Sequence, residues 1–173
     1  VTPGFAWTDL EVRRALAIDE GHGGGAFRFE RVSTDTRAVA AGDLFVALRG
    51  DTFDGHDFVE EARARGARGA VVSKPLQADG GFAVYEVGDT LRALGCLAAH
   101  RRRTLPAQVV GVTGSSGKTT VKELLSAALS ASFSVYSTRG NLNNRVGLPL
   151  SLLAAPEDAQ FLVLEMGTSE PGE

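Results

Sequence analysis

Apolar and polar positions change rhythm along the chain, and the rhythm predicts the elements. Thr8 followed by Glu11 is a capping-box pattern ahead of Val12 and Leu16, which predicts a short helix over residues 7–16. His22 to Gly25 reads as a glycine-rich turn. Phe27 to Val32 alternates apolar and charged residues, as a half-exposed strand does. Leu44 to Leu48 is a short apolar run between Gly42-Asp43 and Arg49-Gly50, and reads as a buried strand. Asp57 to Arg65 has helical spacing, with Gly66 placed to stop it. Ala70 to Val72 and Phe82 to Val87 are the next strands. Asp89 is placed to cap a helix through about His100, with Leu91, Leu94, Leu97 and Ala98 on one face.

Thr104 to Ala107, with Pro106, reads as a linker, and a different rhythm follows it. Gln108 to Thr113 predicts a strand, Lys118 to Leu129 a helix, Ser134 to Ser137 a strand, Leu148 to Leu153 a helix and Phe161 to Leu164 a strand. Strands alternating with helices imply right-handed crossovers and a parallel sheet buried on both faces. The expected class is α/β, in two parts, residues 1–105 and 106–173. The second part, about 65 residues, is short of the roughly five strands of a doubly wound sheet, so it is expected to be cut off at Glu173. The chain begins with Val rather than Met, so its first residue need not be the natural start.

Composition narrows the picture. Hydrophobic residues make up 43% of the 173, enough for a real core and against disorder. A net charge of -3 gives no general pull toward nucleic acid or anionic lipid. The basic run Arg101-Arg102-Arg103 follows an apolar helical stretch and reads as a solvated helix end suited to the dipole. Cys96 is the only cysteine, between Leu94 and Leu97, and reads as a buried inert thiol. No Cys/His cluster, membrane span or signal pattern is present, which points to a reducing, soluble, cytoplasmic setting without membrane insertion; a monomer is expected.

The chemistry concentrates after the linker. An apolar strand runs into Gly114-Ser115-Ser116-Gly117-Lys118-Thr119-Thr120, and a helix starts there. A helix N-terminus presents unpaired N–H groups and partial positive charge, and glycines let the backbone curl so that several N–H groups face one anion. Lys118 adds a full charge toward the β and γ phosphates, and Thr119 a hydroxyl for Mg²⁺. The segment thus reads as a phosphate loop for a nucleoside triphosphate, ATP with magnesium. It departs from the general pattern G-x-x-x-x-G-K-[ST] by having Val112 where a glycine is expected. Glu165 ends the apolar run Phe161 to Leu164, where an acid either serves Mg²⁺ or pairs a surface lysine. Gly140-Asn141-Leu142-Asn143-Asn144 reads either as a plain turn or as amides that hold an anionic oxygen.

Thr113 to Thr120 (TGSSGKTT), Gly140 to Pro149 (GNLNNRVGLP) and Leu164 to Gly167 (LEMG) with Pro171-Gly172-Glu173 resemble the Mur ligases of peptidoglycan synthesis. Ser33 to Arg37, Gly42 to Leu48 and Phe53 to Phe58 are similar to the N-terminal UDP-binding domain of that family. The asparagine block resembles, in particular, the members that join D-alanyl-D-alanine to a UDP-N-acetylmuramoyl tripeptide through an acyl phosphate. The resemblance implies an ATP-dependent amide ligase whose N-terminal UDP-substrate domain (1–105) is followed by the beginning of a central P-loop, parallel-sheet ATPase domain (106–173). It implies Lys118 and Glu165 as catalytic, Gly114 to Thr120 with Asn141 and Asn144 at the ATP, and Thr119 and Glu165 at magnesium. Ser33, Asp35, Thr36, Arg37, Arg49, Gly50, Gly55 and His56 would bind the uridine diphosphate portion. Ser33 and Asp35 have turn capping, and His56 a helix start, as the alternative. Two other functions stay open: a related ligase acting on a folate or another muramoyl peptide, and a non-catalytic nucleotide or UDP-sugar binding module.

Overall fold

The computed structural model of the chain describes residues 7–18, 27–77, 81–140 and 142–167. The predicted turn at 22–25, Asn141 and residues 171–173 lie outside them. The fold is mixed α/β, with two compact units that divide inside a helix, between Leu97 and Ala98.

The first unit opens with β1 (Trp7–Thr8) and α1 (Asp9–Leu16). The capping box forms: Glu11 N–H donates to Thr8 Oγ1 (3.3 Å) and Thr8 N–H to Glu11 Oε2 (2.8 Å). β2 (Arg28–Phe29) pairs antiparallel with β1, with Trp7 opposite Phe29. α1 is fixed by Asp9, which accepts the Tyr85 hydroxyl (2.7 Å) and Arg13 Nε (2.9 Å). Burial, and then this bond to Asp9, push the Tyr85 phenol well above its usual range.

β3 (Val32–Ser33), β4 (Leu44–Val46), α2 (Val59–Ala64), β5 (Gly69–Val72) and β6 (Ala83–Glu86) follow, the four strands making a wholly parallel sheet in sequence order. The single strand expected over 27–32 is two strands in two sheets. The break falls at Glu30-Arg31, because Arg31 forks onto the buried Asp43 carboxylate (Nε–Oδ1 3.1 Å, Nη2–Oδ2 2.9 Å). That pair holds the chain at residues 42–44, where Glu30 N–H donates to Gly42 O and Leu44 N–H to Arg31 O.

Two 3₁₀ turns precede longer elements. Asp35 caps Thr36–Ala38 and Asp54 caps Gly55–Phe58, each carboxylate accepting the N–H two residues on. The helix expected from Asp57 therefore starts as a 3₁₀ turn and becomes α-helical only at Val59. Gly66 ends the segment with φ +106°. One core cluster of this unit is Phe45, Ala47, Val59, Ala62, Ala67, Ala70, Val72 and Phe82.

α3 (Thr90–Thr104) begins at Asp89, whose Oδ1 accepts from the N–H groups of Leu91 (2.8 Å) and Arg92 (3.1 Å). It runs one turn past the expected end. The basic run is thus helical, and Arg101 is not solvated: it is 1% exposed, and its Nη2 donates to Ala155 O (2.9 Å). Cys96 is half-buried rather than buried.

In the second unit come β7 (Gln108–Val112), α4 (Lys118–Ser130), β8 (Val135–Ser137), α5 (Gly147–Leu153) and β9 (Phe161–Glu165). The sheet is parallel, in the order β7-β9-β8. Leu162 and Leu164 of β9 pack with Leu105, Ala107, Ala155 and Ala159. Only β9 is buried along most of its length; β7 and β8 are edges among the described residues, so burial on both faces holds for the central strand alone. Two apolar residues of α4, Val121 (52% exposed) and Leu124 (67%), lie in the open.

Two measurements check this packing. Arg101→Met strips the donor from a buried carbonyl and is expected to lower stability by about 1–3 kcal/mol in urea denaturation, whereas Arg103→Met, at an exposed position, is expected to stay within about 0.5 kcal/mol. The Arg37 guanidinium holds the Asp35 carboxyl down to about 2, with the Arg37 N–H adding to it. Since the folded value lies below the unfolded one, the contribution of this cap is complete above about pH 4 and is lost as pH falls through about 2. NMR titration of the Asp35 carboxyl should give that midpoint, and Arg37→Ala should move it up toward the ordinary value.

Candidate phosphate and substrate sites

The loop after β7 is built to face an anion. α4 has 13 residues, its N-cap Gly117 sits at φ +75°, and no side chain caps it, so its first-turn N–H groups point outward without intrahelical acceptors. Gly114 takes φ +144°, a second position that L side chains rarely adopt. Ser115, Ser116, Thr119 and Thr120 are exposed. Lys118 folds its Nζ back onto Gly114 O (2.8 Å), which holds the ammonium at the mouth of the loop. Val112, the departure from the general pattern, is the last residue of β7 and is buried opposite Glu165. The curl begins after it, at Thr113.

Glu165 is the centre of the arrangement. Its parallel register with Val112 brings the end of β9 beside the start of the loop. The residue is only 2% exposed, and both carboxylate oxygens are engaged. Oε2 accepts the Thr119 hydroxyl (2.9 Å) and Oε1 accepts Asn143 Nδ2 (2.8 Å). A carboxylate without its proton only accepts, so the Asn143 amide must face it with its NH₂. Of the two asparagines singled out beforehand, Asn141 is outside the described residues. Asn144 turns its Oδ1 onto the N–H groups of Val146 (3.2 Å) and Gly147 (2.8 Å), forming the turn into α5. Asn143, not Asn144, reaches the acidic centre.

The donor set fits magnesium. Mg²⁺ takes hard oxygen ligands and in nucleotide sites uses one or two carboxylates together with phosphates, not a cage made by protein alone. Thr119 and Glu165 supply one hydroxyl and one carboxylate side by side, and among the described residues no group of three acidic, His or Cys side chains competes as a metal site.

Asp35, Thr36, Arg37 and Gly55 line one cavity of about 530 Å³ in the first unit. Its other walls are Phe53, within the loop 49–56 expected to line it, and Thr34, Phe45, Phe58 and Glu61, to which the sequence reading gave no site role. Phe53 (57% exposed) and Phe58 (41%) are the informative ones, since large apolar rings left in solvent beside a cavity are an available signal. Gly55 is required by space: a Cβ there would stand 2.5 Å from Leu48 O and 2.8 Å from Leu48 N, both backbone atoms.

The other predicted substrate residues, Ser33, Arg49, Gly50 and His56, are not among those lining the cavity. Ser33 Oγ donates to Asp35 O (3.1 Å), while Arg37 forks onto Asp35 (Nε–Oδ1 2.9 Å, Nη2–Oδ2 2.7 Å). Arg49 bridges to Asp54 and Gly50 N–H donates to Phe53 O (3.0 Å), closing a tight loop. His56 is a brace. Its Nε2 accepts Ser73 N–H (2.8 Å), so the proton is on Nδ1, which meets Asp54 Oδ1 (2.5 Å). Lys74 (2.7 Å), and then His56, hold the Asp54 carboxyl well below its usual range. Both ring nitrogens of His56 are therefore committed within the chain.

Two further residues behind Glu165 were not anticipated. Thr138 Oγ1 accepts Glu165 N–H (3.1 Å), and the fully buried Lys122 donates to Thr138 O (2.7 Å). The available signal was Lys122 and Ser126 four apart on α4, polar residues on a helix whose apolar Val121 and Leu124 face outward.

Known proteins are similar to this chain in sequence and fold. The family described as Mur ligase middle domain matches residues 112–173, and that described as Mur ligase family, catalytic domain, matches residues 28–140. The UDP-N-acetylmuramoyl-tripeptide–D-alanyl-D-alanine ligase of Escherichia coli is 45% identical over 150 residues, 87% of this chain and 33% of that protein. The enzyme of the same name from Bacillus subtilis is 45% identical over 143 residues, 82% of this chain and 31% of that one. The chain thus spans about a third of the length of these curated relatives. Among solved structures, MurF from Acinetobacter baumannii matches with a TM-score of 0.87 and 38% identity, over 99% of this chain and 38% of that one. MurF ligase from Thermotoga maritima in complex with ADP matches with a TM-score of 0.75 and 41% identity, over 82% and 33%. With a family match over residues 28–140 of 173, the chain belongs to the Mur ligase family.

Proposed function

We propose that this chain supplies the nucleotide loop and the UDP-substrate pocket of an ATP-dependent ligase that joins D-alanyl-D-alanine to a UDP-N-acetylmuramoyl tripeptide. One observation carries the reading: the Thr119 hydroxyl and the Glu165 carboxylate meet at 2.9 Å beside an uncapped, glycine-hinged helix start. The relatives named for this reaction support the choice of substrates. In this reading residues 1–105 bind the UDP-linked substrate, and residues 106–173 begin the ATP-binding domain.

The chemical problem is that a carboxylate repels an incoming nucleophile and has no good leaving group. Transfer of the γ-phosphoryl group from ATP to the tripeptide carboxylate gives an acyl phosphate and ADP. The amine of D-alanyl-D-alanine then attacks the acyl carbon, phosphate leaves, and the amine loses a proton as the amide forms. Catalysis of such a step is mostly positioning and charge neutralisation. The N–H groups at the start of α4 cradle phosphate oxygens, and Lys118, released from Gly114 O, sets its charge against the transferring group. Thr119 and Glu165 would hold magnesium, which would supply Lewis-acid neutralisation of phosphate charge. Asn143 keeps the Glu165 carboxylate turned toward the loop, and Asn144 makes the turn that carries Asn143 there; in this reading Asn141 and Asn144 also serve the ATP.

In the first unit, the uridine diphosphate portion occupies the cavity edged by Asp35, Thr36, Arg37 and Gly55. Ser33, Arg49, Gly50 and His56 serve it by shaping the rim. The protein acts as a monomer in the cytoplasm, without nucleic-acid partners.

Lys118→Ala is expected to weaken ATP binding to this chain by about 10-fold or more in calorimetry, and to leave affinity for the UDP-muramoyl tripeptide unchanged. In a protein carrying the remaining two thirds of the family length, the same change should cut turnover by about 10²–10³-fold. Near-normal turnover would remove Lys118 from this role. The 173-residue chain alone is expected to form no amide bond, checked by an ADP-release assay with both substrates.

A further inference from the structure

Behind the loop, α4 carries a lysine with no access to a nucleotide. Lys122 is 1% exposed, four residues after Lys118. Lysine is almost never fully buried unless paired, because removing an ammonium from water is costly. Lys122 Nζ donates to Thr138 O (2.7 Å) and meets Glu123 Oε1 (2.9 Å), and Ser126 Oγ donates to Lys122 O (2.7 Å).

Thr138, also 1% exposed, follows the last residue of β8. Its N–H donates to Val163 O (3.1 Å), its carbonyl takes Lys122, and its Oγ1 accepts Glu165 N–H (3.1 Å). The ladder between β8 and β9 ends at Ser137 opposite Val163. Glu165 therefore lies beyond the reach of β8 backbone, and the Thr138 hydroxyl takes the place of the missing ladder acceptor. The same loop brings Asn143, whose amide holds Glu165 Oε1 (2.8 Å) and whose carbonyl accepts Gly167 N–H (2.6 Å).

We propose that Lys122 and Thr138 are positioning residues that set the Glu165 backbone, and through it the carboxylate, for the divalent cation that accompanies the nucleotide. This rests on the nucleotide-and-magnesium reading of the loop. Lys122 pins the Thr138 carbonyl and so fixes the residue whose hydroxyl holds Glu165 N–H. Neither residue touches nucleotide. Loss of either leaves the phosphate-facing N–H groups and Lys118 in place but loosens the Glu165 main chain, and so shifts the carboxylate that meets the cation. Partners one step removed from a metal ligand commonly change metal affinity by about 10–100-fold.

The test uses the chain with ADP as probe, titrated with Mn²⁺ by electron paramagnetic resonance, and ADP binding alone in EDTA by calorimetry. Thr138→Val and Lys122→Met are expected to weaken Mn²⁺ binding to the ADP complex by about 10-fold or more while metal-free ADP affinity stays within about 2-fold. Thr138→Ser, which keeps the hydroxyl, is expected to behave as wild type. Hydrogen exchange at the Glu165 amide should quicken in Thr138→Val and not in Thr138→Ser. Wild-type Mn²⁺ affinity in Thr138→Val overturns the proposal. So does an equal loss of metal-free ADP binding, which marks general damage. If Lys122→Met does not fold, Thr138→Val and Thr138→Ser decide alone. Wild-type chain that binds no ADP refutes the underlying reading instead.

Discussion

A carboxylate removed from water must be met on both oxygens, and the second unit is organised around that requirement at Glu165. The residue is nearly inaccessible, at the end of the one well-buried strand. A charge buried without partners would be costly. Here α4 offers the Thr119 hydroxyl, the loop after β8 offers the Asn143 amide, and the Thr138 hydroxyl takes the main-chain N–H. Two separate segments, α4 and the loop after β8, are thus tied to one residue by three bonds. The parallel order β7-β9-β8 makes this possible, because it sends the C-terminal ends of all three strands to the same side of the sheet.

The first unit applies the same logic with different groups. Asp43 receives Arg31 and fixes the corner between two sheets, Asp9 receives Tyr85 and Arg13, and Asp54 receives Lys74 and His56. Each joins segments distant in sequence through charge-assisted bonds that are stronger and more directional than neutral ones. The cavity bordered by Asp35 and Arg37 is lined mostly by 3₁₀ turns and a tight loop, with Phe45 of β4 and Glu61 of α2 behind them. Recognition groups on such turns are held by capping carboxylates and backbone bonds, which leaves Phe53 and Phe58 outward.

Much of this was legible along the chain, for identifiable reasons. The phosphate loop needs its glycines, lysine and threonine at fixed spacing, and Gly117 and Gly114 do take conformations that favour glycine. The capping box at Thr8 and the cap at Asp89 are local chemistry, so three or four residues suffice to read them. What escaped depends on distant partners. The alternation at 27–32 looks like one strand, and nothing nearby shows that Arg31 pairs with Asp43, twelve positions on. A run of three arginines at a helix end has one pattern whether solvated or not; the burial of Arg101 is set by Ala155, fifty-four positions away. In the asparagine block composition allows a plain turn or amides that hold an oxygen, and only the turn made by Asn144 decides that Asn143 faces Glu165.

The outward apolar side chains of α4 have a practical corollary. Val121 and Leu124 face solvent on a helix whose opposite side is filled by Lys122 and Ser126. Oily side chains presented in this way attract one another as concentration rises, so this helix favours self-association in solution, an attraction that strengthens on moderate warming. Handling the polypeptide cold and dilute follows directly from the inverted polarity of one helix.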